Sequence, residues 1–233
     1  MTAQVDWTFT DREGGASAPP FAASNLATLV GDDPVAVAAN RAALAAAHGL
    51  GAIVWMNQVH SATVAVVDGP RETPVPATDG LVTRTPGIGL AVLTADCVPI
   101  LAHDTRHGVI GVAHAGRRGA AAGIGLRLLE TMESVGARRS DVAVVIGPAI
   151  CGRCYEVPPA MRAEVDRDLP HSACETRWGT PGLDLTAGLG AQFSGVGVQV
   201  TADAACTLET PRLFSHRRGA PTGRQAGVIW MRP

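Results

Sequence analysis

The sequence of 233 residues contains no lysine, because all 19 of its basic residues are arginine. Lysine forms Schiff bases with carbonyl substrates, links pyridoxal cofactors and binds phosphate in P-loops. Its absence excludes these three kinds of site. Any phosphate or carboxylate that the chain recognises must therefore meet arginine, a backbone N–H group or a metal ion.

Aromatic residues and long apolar runs are also scarce. Aromatic side chains make up 4% of the chain and the formal net charge is −2, so neither a base-stacking surface nor a basic patch for nucleic acid is expected. No apolar run approaches the roughly 20 residues of a membrane span, and residues 1–7 show no secretory signal. Five cysteines, an odd number, favour reduced thiols in a cytoplasmic protein.

Apolar periodicity predicts a mixed α/β or α+β protein, with no linker that would divide residues 1–233 into more than one domain. The predicted strands are 5–9, 52–56, 63–67, 87–93, 98–102, 108–113, 141–146, 196–200 and 226–231, and the predicted helices are 34–48, 124–136 and 184–193. The pattern does not predict the order of the strands.

Three potential metal ligands stand at the ends of predicted strands, namely His60, Cys97 and His114. Backbone direction is fixed at a strand end, so such side chains can converge. Two imidazoles and a thiolate are donors that Zn²⁺ takes, and three protein ligands leave a fourth position open, as in catalytic sites. Their spacing matches no short zinc motif, and each residue taken singly is also compatible with a structural role.

Arginine clusters indicate two possible anion sites. Arg118 lies shortly after His114-Ala-Gly, at the start of a predicted helix. At this position it either binds a phosphate or is an ordinary solvent-exposed arginine. Near the carboxyl end, Arg217, Arg218 and Arg224 surround a predicted turn. This turn is either a solvated hairpin or an anion-binding loop.

The pair Cys151-Gly-Arg-Cys154 has the spacing of redox and zinc motifs. No second C-x-x-C occurs to complete a four-cysteine site, and a backbone turn after Gly147-Pro148 explains the glycine equally well. We therefore expect no site at this pair, and structural roles for Cys174 and Cys206.

Five motifs, taken together and in order, resemble the YfiH-like family. They are Asn57-Gln-Val-His60, Thr94-Ala-Asp-Cys97-Val-Pro, His114-Ala-Gly-x-Arg118-Gly, Ile146-Gly-Pro-Ala-Ile150 with Cys154-Tyr-Glu-Val157, and Arg217-Arg218 followed by Thr222-Gly-Arg224. That family carries the name laccase domain-containing or polyphenol oxidase and is associated with purine nucleoside phosphorylase activity. The similarity covers essentially the whole chain, from Phe9 to Trp230.

The resemblance implies a single domain of α/β/β/α layers, the cysteine hydrolase-like fold, with zinc held by His60, Cys97 and His114. It implies phosphorolysis of adenosine, inosine and methylthioadenosine to the free base and ribose 1-phosphate, with adenosine deamination as a side activity. Substrate and phosphate contacts are then expected from the four arginines above and from Asn25 and Arg41. The chain departs from the family pattern at Arg117, His216 and Gly219, where the family usually has Trp, Tyr and an acidic residue.

Two other chemistries remain open for the same residues. Two His and one Cys also form the equatorial ligand set of copper electron-transfer sites, with Met56 as a possible axial ligand, as in a polyphenol oxidase with Cu²⁺. Without a metal, Cys97 as nucleophile and His60 or His114 as base would give a cysteine hydrolase. Some bacterial relatives are linked to peptidoglycan precursor editing, which suits such chemistry.

Overall fold

A computed structural model describes residues 2–233, and within that range the chain forms twelve β-strands and five α-helices. The strands are β1 (Val5–Phe9), β2 (Ala52–Val54), β3 (Val64–Val66), β4 (Gly80–Thr83), β5 (Ile88–Thr94), β6 (Val98–Asp104), β7 (Val109–Ala115), β8 (Ala143–Ile146), β9 (Ala173–Glu175), β10 (Pro181–Leu183), β11 (Gln199–Ala202) and β12 (Gln225–Met231). The helices are α1 (Pro34–Ala47), α2 (Arg117–Ala121), α3 (Ile124–Ser134), α4 (Pro159–Asp168) and α5 (Leu185–Gly195), and a short 3₁₀ turn covers Arg139–Asp141.

Two large sheets contain ten of these strands. One has four strands in the order β1-β12-β5-β2, and the other has six in the order β11-β8-β6-β7-β4-β3. Strands β9 and β10 form a separate antiparallel pair. All seven residues of β7 and all seven of β12 are buried. Apart from His114 in β7 and Gln225 in β12, these strands are apolar, as expected for strands of sheets that are covered on both faces.

The faces of the sheets stack into four layers. Between the sheets, apolar residues of β5 and β12 such as Leu90 and Ile229 pack on residues of β6 and β7 such as Leu101 and Val112. Helices α3 and α5 cover the outer face of the six-stranded sheet, and α1 covers that of the four-stranded sheet. This α/β/β/α arrangement confirms the expected mixed fold.

The structure contains short or weakly amphipathic strands and helices that the sequence does not predict. Strand β4 has four residues, β9 and β10 have three each, and α4 buries only Val165, so none shows a clear apolar period, and none was predicted. The predicted strand 196–200 is wrong at its start, because Val196 caps α5 and Gly197 turns the chain at φ 79° before β11 begins. No helix within residues 2–233 is long and apolar enough to span a bilayer.

Candidate active site

Two connections between the sheets carry two of the predicted metal ligands. His60 lies in the connection from β2 in the four-stranded sheet to β3 in the six-stranded sheet, and Cys97 lies in the connection from β5 to β6. His114 belongs to β7, where it pairs with Pro99 of β6. Since Cys97 immediately precedes β6, antiparallel pairing places the thiol and the imidazole at the same end of the strands.

The side chains of His60, Cys97 and His114 converge at this end. One nitrogen or sulfur atom from each lies within 4.8 Å of the other two. The Cys97 Sγ atom is 3.9 Å from His60 Nε2, and the two imidazole rings stand nearly perpendicular with centroids 4.7 Å apart. His114 is buried and His60 is exposed, so the group is closed to solvent at His114 and accessible to solvent at His60. This donor set can hold one metal ion.

Asp79, just before β4, is a fully buried carboxylate that supports the group. Its Oδ1 atom accepts a hydrogen bond from His114 Nδ1 at 2.8 Å and another from the His60 N–H at 3.0 Å. Its Oδ2 atom accepts the N–H groups of Val59 and Ser61 and the Ser61 hydroxyl. Burial opposes ionisation, but these hydrogen bonds outweigh it and lower the pKa of Asp79 to about 2. The bond to Nδ1 leaves Nε2 of His114 available to a metal.

The charges of Cys97 and His114 depend on each other. Burial raises the pKa of Cys97, but hydrogen bonds with His114 and His60 outweigh it and lower that pKa to about 6. Burial lowers the pKa of His114, but hydrogen bonds with Asp79 and Cys97 outweigh it and raise that pKa to about 9. Without a metal the site therefore holds a thiolate beside an imidazolium at neutral pH, and a cation must displace the imidazolium proton.

The backbone around the group adopts uncommon conformations. His60 has φ 61° and Asp96 has φ 100°, both in the left-handed region that residues other than glycine rarely occupy. A Cβ atom on Gly116 would lie 2.6 Å from His60 Cδ2 and 3.2 Å from Cys97 Sγ. The side chains of His60 and Cys97 can therefore take these positions only because residue 116 is glycine. Such constraints concentrate at functional sites.

A cavity of about 780 Å³ opens beside the three ligands and is lined by all of them. Met56 and Leu93 contribute to an apolar wall, and Asn57 and Gln58 to a polar one. The Gln58 side-chain amide donates to the Leu93 carbonyl and accepts the Leu93 N–H, which fixes the loop before His60 to β5. The volume is that of a pocket for a small organic molecule.

Four arginines line the same cavity, namely Arg41, Arg117, Arg217 and Arg224. Arg41 lies over the Trp55 ring at 4.0 Å, and burial lowers its pKa to about 10, which leaves it charged at neutral pH. Arg217 lies over the Tyr155 ring at 5.1 Å. These cations favour an anionic ligand.

Asp96 is the one carboxylate among the described residues that line the cavity. Its Oδ2 atom accepts the backbone N–H of Arg217 at 2.7 Å, and its Oδ1 atom accepts the hydroxyl of Thr207 at 2.6 Å. Asp96 therefore positions the segment that carries Arg217, directly beside the Cys97 ligand.

A family model described as multi-copper polyphenol oxidoreductase laccase matches residues 6–232. The chain belongs to this family. The resemblance to YfiH-like, laccase-domain proteins is thereby confirmed.

Relatives of this laccase-domain chain are similar over nearly its whole length. A purine nucleoside phosphorylase of Mycobacterium tuberculosis is 55% identical over 225 residues, covering 95% of this chain and 90% of the relative. A purine nucleoside phosphorylase of Streptomyces griseus is 50% identical over 236 residues, covering 99% and 96%. Among solved structures, YfiH of Bacillus licheniformis has a TM-score of 0.90 at 31% identity, covering 98% of this chain and 93% of that one. YlmD of Geobacillus stearothermophilus has a TM-score of 0.88 at 35% identity, covering 98% and 92%.

The substrate contacts implied by the laccase-domain resemblance fall into two groups. Arg41, Arg217 and Arg224 line the cavity. Arg118 lies exposed on the five-residue helix α2 and is not part of the lining, whereas its neighbour Arg117 is. The placement of Arg118 thus differs from the predicted phosphate contact, because the chain turns into α2 with the other arginine facing the cavity.

Two further residues predicted to contact the substrate, Arg218 and Asn25, lie behind the cavity wall. Arg218 donates hydrogen bonds to the backbone carbonyls of residues 207, 208, 210 and 213, so its guanidinium is engaged within its own loop. Asn25 is fully buried, and its Oδ1 atom accepts the backbone N–H of Arg224 at 2.9 Å. Neither residue lines the cavity. Asn25 holds the backbone of the cavity residue Arg224, and Arg218 holds together the loop of residues 207–213.

Several residues of the site are not predicted as site residues from the sequence. Asp79 precedes a strand too short to predict, and Tyr155 lies in a loop, within a motif of the resemblance. Arg117 and His216 appear in the sequence only as departures from the family pattern. Asp79 stands directly before the strand Gly80–Thr83. A carboxylate at the end of a strand is the one sequence pattern that points to Asp79 as a site residue.

Proposed function

We propose that this laccase-domain protein is a zinc-dependent purine nucleoside phosphorylase. Its substrates are adenosine, inosine and methylthioadenosine with phosphate, and its products are the free base and the ribose 1-phosphate. One observation carries the proposal: a single cavity joins the His60, Cys97 and His114 donors to four arginine side chains. The names of relatives at 50% and 55% identity support this class of reaction.

The cavity offers complementary surfaces to the two substrates. Arg217 and Arg224 line the cavity, and the Nη1 group of each donates to backbone carbonyls, of Glu156 and of residues 222 and 223 respectively. Their Nε and Nη2 groups would then bind a pair of phosphate oxygens. The apolar wall around Leu93 and the Tyr155 ring provide a surface on which a purine packs. Arg41 and Arg117 supply further positive charge for the phosphate or for the charge that develops on the leaving base.

The reaction exchanges one bond at the anomeric carbon. A phosphate oxygen forms a bond to C1′ while the bond from C1′ to the purine nitrogen breaks, and the purine leaves with that electron pair and takes up a proton. The arginines orient the phosphate, and Asp79 holds His114 as a ligand in its required orientation. Zn²⁺ held by His60, Cys97 and His114 supplies, when bound, positive charge that stabilises anionic groups in the cavity.

Phosphate-dependent release of base tests the proposal. The purified protein, loaded with Zn²⁺, is incubated with adenosine or inosine with and without phosphate, and hypoxanthine, adenine and ribose 1-phosphate are quantified. We expect base release only with phosphate, and loss of both activity and the zinc bound at the cavity site in His114→Ala. Full phosphorolysis by a His114→Ala variant that holds no metal at the cavity site would contradict the scheme. Inosine formed from adenosine without phosphate would reveal the proposed deaminase side activity.

A cysteine hydrolase is the second candidate, and a specific geometry favours it. The Cys97 sulfur and the His114 imidazole lie within 4.8 Å, His114 is hydrogen bonded to Asp79 through Nδ1, and the thiol has a lowered pKa, as in a Cys-His-Asp nucleophilic site. Peptidoglycan precursor peptides are the substrates to assay in that case. A chelator separates the two candidates, because it removes a zinc-dependent activity and leaves a thiolate hydrolase intact.

The description of the family as a polyphenol oxidoreductase favours a third candidate, a copper polyphenol oxidase. His60, Cys97 and His114 would hold the copper, and Met56, which lines the same cavity, would offer a thioether as a further donor. Metal analysis and an absorption spectrum of the purified protein distinguish the two metals, because Zn²⁺ is colourless and a copper–thiolate centre is not. Full reduction of oxygen also requires several coppers, so one such ion does not suffice.

A further inference from the structure

A second group of metal-binding side chains lies in two loops outside the His60, Cys97 and His114 site. Cys151 and Cys154 belong to the loop between β8 and α4, and Cys206 and Glu209 belong to the segment between β11 and β12. The three sulfur atoms and one carboxylate oxygen lie within 4.8 Å of one another. The sequence offered no second C-x-x-C to complete a site at Cys151 and Cys154, but the fold brings a third thiol and a carboxylate to it.

Strand pairing explains why residues 55 positions apart meet. Strands β8 and β11 are parallel neighbours in the six-stranded sheet. Beyond their ends, Ala149 and Cys206 form an isolated parallel bridge, and the Thr207 N–H donates to the Ala149 carbonyl at 3.0 Å. The two ligand-bearing loops therefore leave the same edge of the sheet side by side.

Each loop presents its two ligands on a tight turn. The Cys154 N–H donates to the Cys151 carbonyl at 2.9 Å, and the Glu209 N–H donates to the Cys206 carbonyl at 3.1 Å. The ligands thus occur in two pairs with the same three-residue spacing, C-x-x-C and C-x-x-E, each closed by a backbone hydrogen bond. Paired ligands on short turns are a recurrent arrangement in structural zinc sites.

The distances are close to those that a tetrahedral ion requires. Zn–S bonds of about 2.3 Å place tetrahedral sulfur ligands about 3.8 Å apart. The Cys151 Sγ atom lies 4.0 Å from Glu209 Oε2, and the whole set lies within 4.8 Å. A contraction of about 1 Å or less in any pair therefore brings four ligands onto one ion.

The surroundings suit thiolates that bind a cation. The Cys151 N–H points at the Cys206 sulfur at 3.4 Å, a contact that stabilises a bound thiolate. Glu209 keeps its other oxygen in an ion pair with Arg177 at 2.6 Å, which orients the carboxylate.

We propose that Cys151, Cys154, Cys206 and Glu209 form a second, structural metal site that takes one Zn²⁺ ion. Four protein ligands close this site, in contrast to the three ligands of the site in the cavity. Cys154 and Cys206 are buried, and Glu209 is exposed, so the ion enters from the Glu209 side.

A metal ion at this second site would stabilise one wall of the cavity. Tyr155, which lines the cavity, follows Cys154 directly, and Thr207, which donates to Asp96, follows Cys206 directly. Arg218 binds carbonyls on both sides of Glu209. An ion held by both loops would therefore fix Tyr155 relative to the segment that carries Arg217.

Metal counting on variants tests this proposal independently of enzyme activity. Full-length protein is stripped with a chelator, reloaded with Zn²⁺ alone, freed of excess metal and analysed for zinc per chain. We expect two ions in the wild type, one in Cys97→Ser/His114→Ala and one in Cys151→Ser/Cys206→Ser. Cys174→Ser is the matched control, because it removes a thiol outside the group and should retain two.

Glu209→Gln provides a second measurement that does not depend on replacing a buried residue. In the Cys97→Ser/His114→Ala background it should raise the dissociation constant for Zn²⁺ by about 10- to 100-fold. Co²⁺ in the same background should give the intense absorption bands of thiolate coordination. The proposal is overturned if Cys97→Ser/His114→Ala binds no zinc, or if two of the three thiols form a disulfide and zinc uptake is limited to the cavity site. Neither result depends on whether the cavity catalyses phosphorolysis.

Discussion

The Oδ1 atom of Asp79 lies 2.8 Å from Nδ1 of His114, inside a core that solvent does not reach. The same carboxylate accepts the N–H of His60, so one buried side chain holds two of the three residues that we propose as ligands of the cavity metal. Loss of a carboxylate behind a ligating histidine typically costs 10–100-fold in metal affinity.

Asp79→Ala should therefore weaken Zn²⁺ binding by about 10- to 100-fold, because His114 loses its orienting partner. Competition with a chromophoric chelator measures the dissociation constant. Asp68→Ala, at an exposed position, is the control and should bind Zn²⁺ as the wild type does. Equal affinity in the two variants would show that Asp79 has no role in holding the ligands.

Gly116→Ala should displace His60 and disrupt the cavity site. The new Cβ atom would stand 2.6 Å from the imidazole and 3.2 Å from the Cys97 sulfur, both closer than ordinary contact. We expect lost zinc at that site and a large fall in phosphorolysis, measured by metal analysis and base release. Gly219→Ala, where nothing lies within 4 Å of the added methyl group, should behave as the wild type. Retention of zinc in Gly116→Ala would mean that the ligands do not close over this glycine.

Arg217→Gln should raise the KM for phosphate by about 10- to 100-fold, the equivalent of one or two charge-assisted hydrogen bonds. The removed cation lines the cavity, while the backbone N–H that donates to Asp96 is retained. Steady-state kinetics at saturating nucleoside measures this effect. Arg118→Gln is the matched comparison, since this exposed arginine lies outside the lining. A larger effect from Arg118 than from Arg217 would restore the contact predicted from the sequence and contradict the assignment by geometry.

Asp104 should make folding stability depend on pH. Although burial opposes its ionisation, hydrogen bonds from the backbone of Arg138 and from the backbone and side chain of His107 lower the pKa of Asp104 below its ordinary value. A lowered pKa in the folded state contributes stability above the unfolded pKa of about 3.9, and this contribution is lost as the pH falls through the folded pKa.

Urea unfolding of the wild type and Asp104→Ala, followed from pH 3 to pH 7, checks this prediction. The variant should lose about 2–3 kcal/mol near neutral pH, because buried N–H groups lose an ionised acceptor. The gap between the two proteins should narrow below about pH 4. A gap that stays constant across the range would show that the charge of Asp104 contributes nothing.

The sequence predicted most of the fold that long apolar runs encode. It also singled out His60, Cys97 and His114, whose side chains the fold brings within 4.8 Å of one another. Strands β5, β6 and β7 were recognisable because burial on both faces requires continuous apolar residues. Helix α4 was not recognisable, since it buries only Val165. Asp79 and His114 are 35 positions apart, and no local pattern records that β4 and β7 are neighbours.

The same reason explains the group around Cys151. A C-x-x-C pair is visible in one line of sequence, but its partners Cys206 and Glu209 are supplied by the pairing of β8 and β11. Strand order was not predictable, so the sequence could indicate two ligands of this group and not four. The sequence also could not show which of two neighbouring arginines reaches the cavity. Arg117 lines the cavity, whereas Arg118, the next residue of the same helix, is exposed to solvent.

His60 and Cys97 sit where the polypeptide passes from one sheet to the other, and His114 anchors in the six-stranded sheet alone. An ion bound by all three, as we propose, would join the two sheets at this end of their strands. The metal-free protein would then be less stable as well as less active. Its sensitivity to proteases, and hence its abundance in the cell, should depend on the supply of the ion.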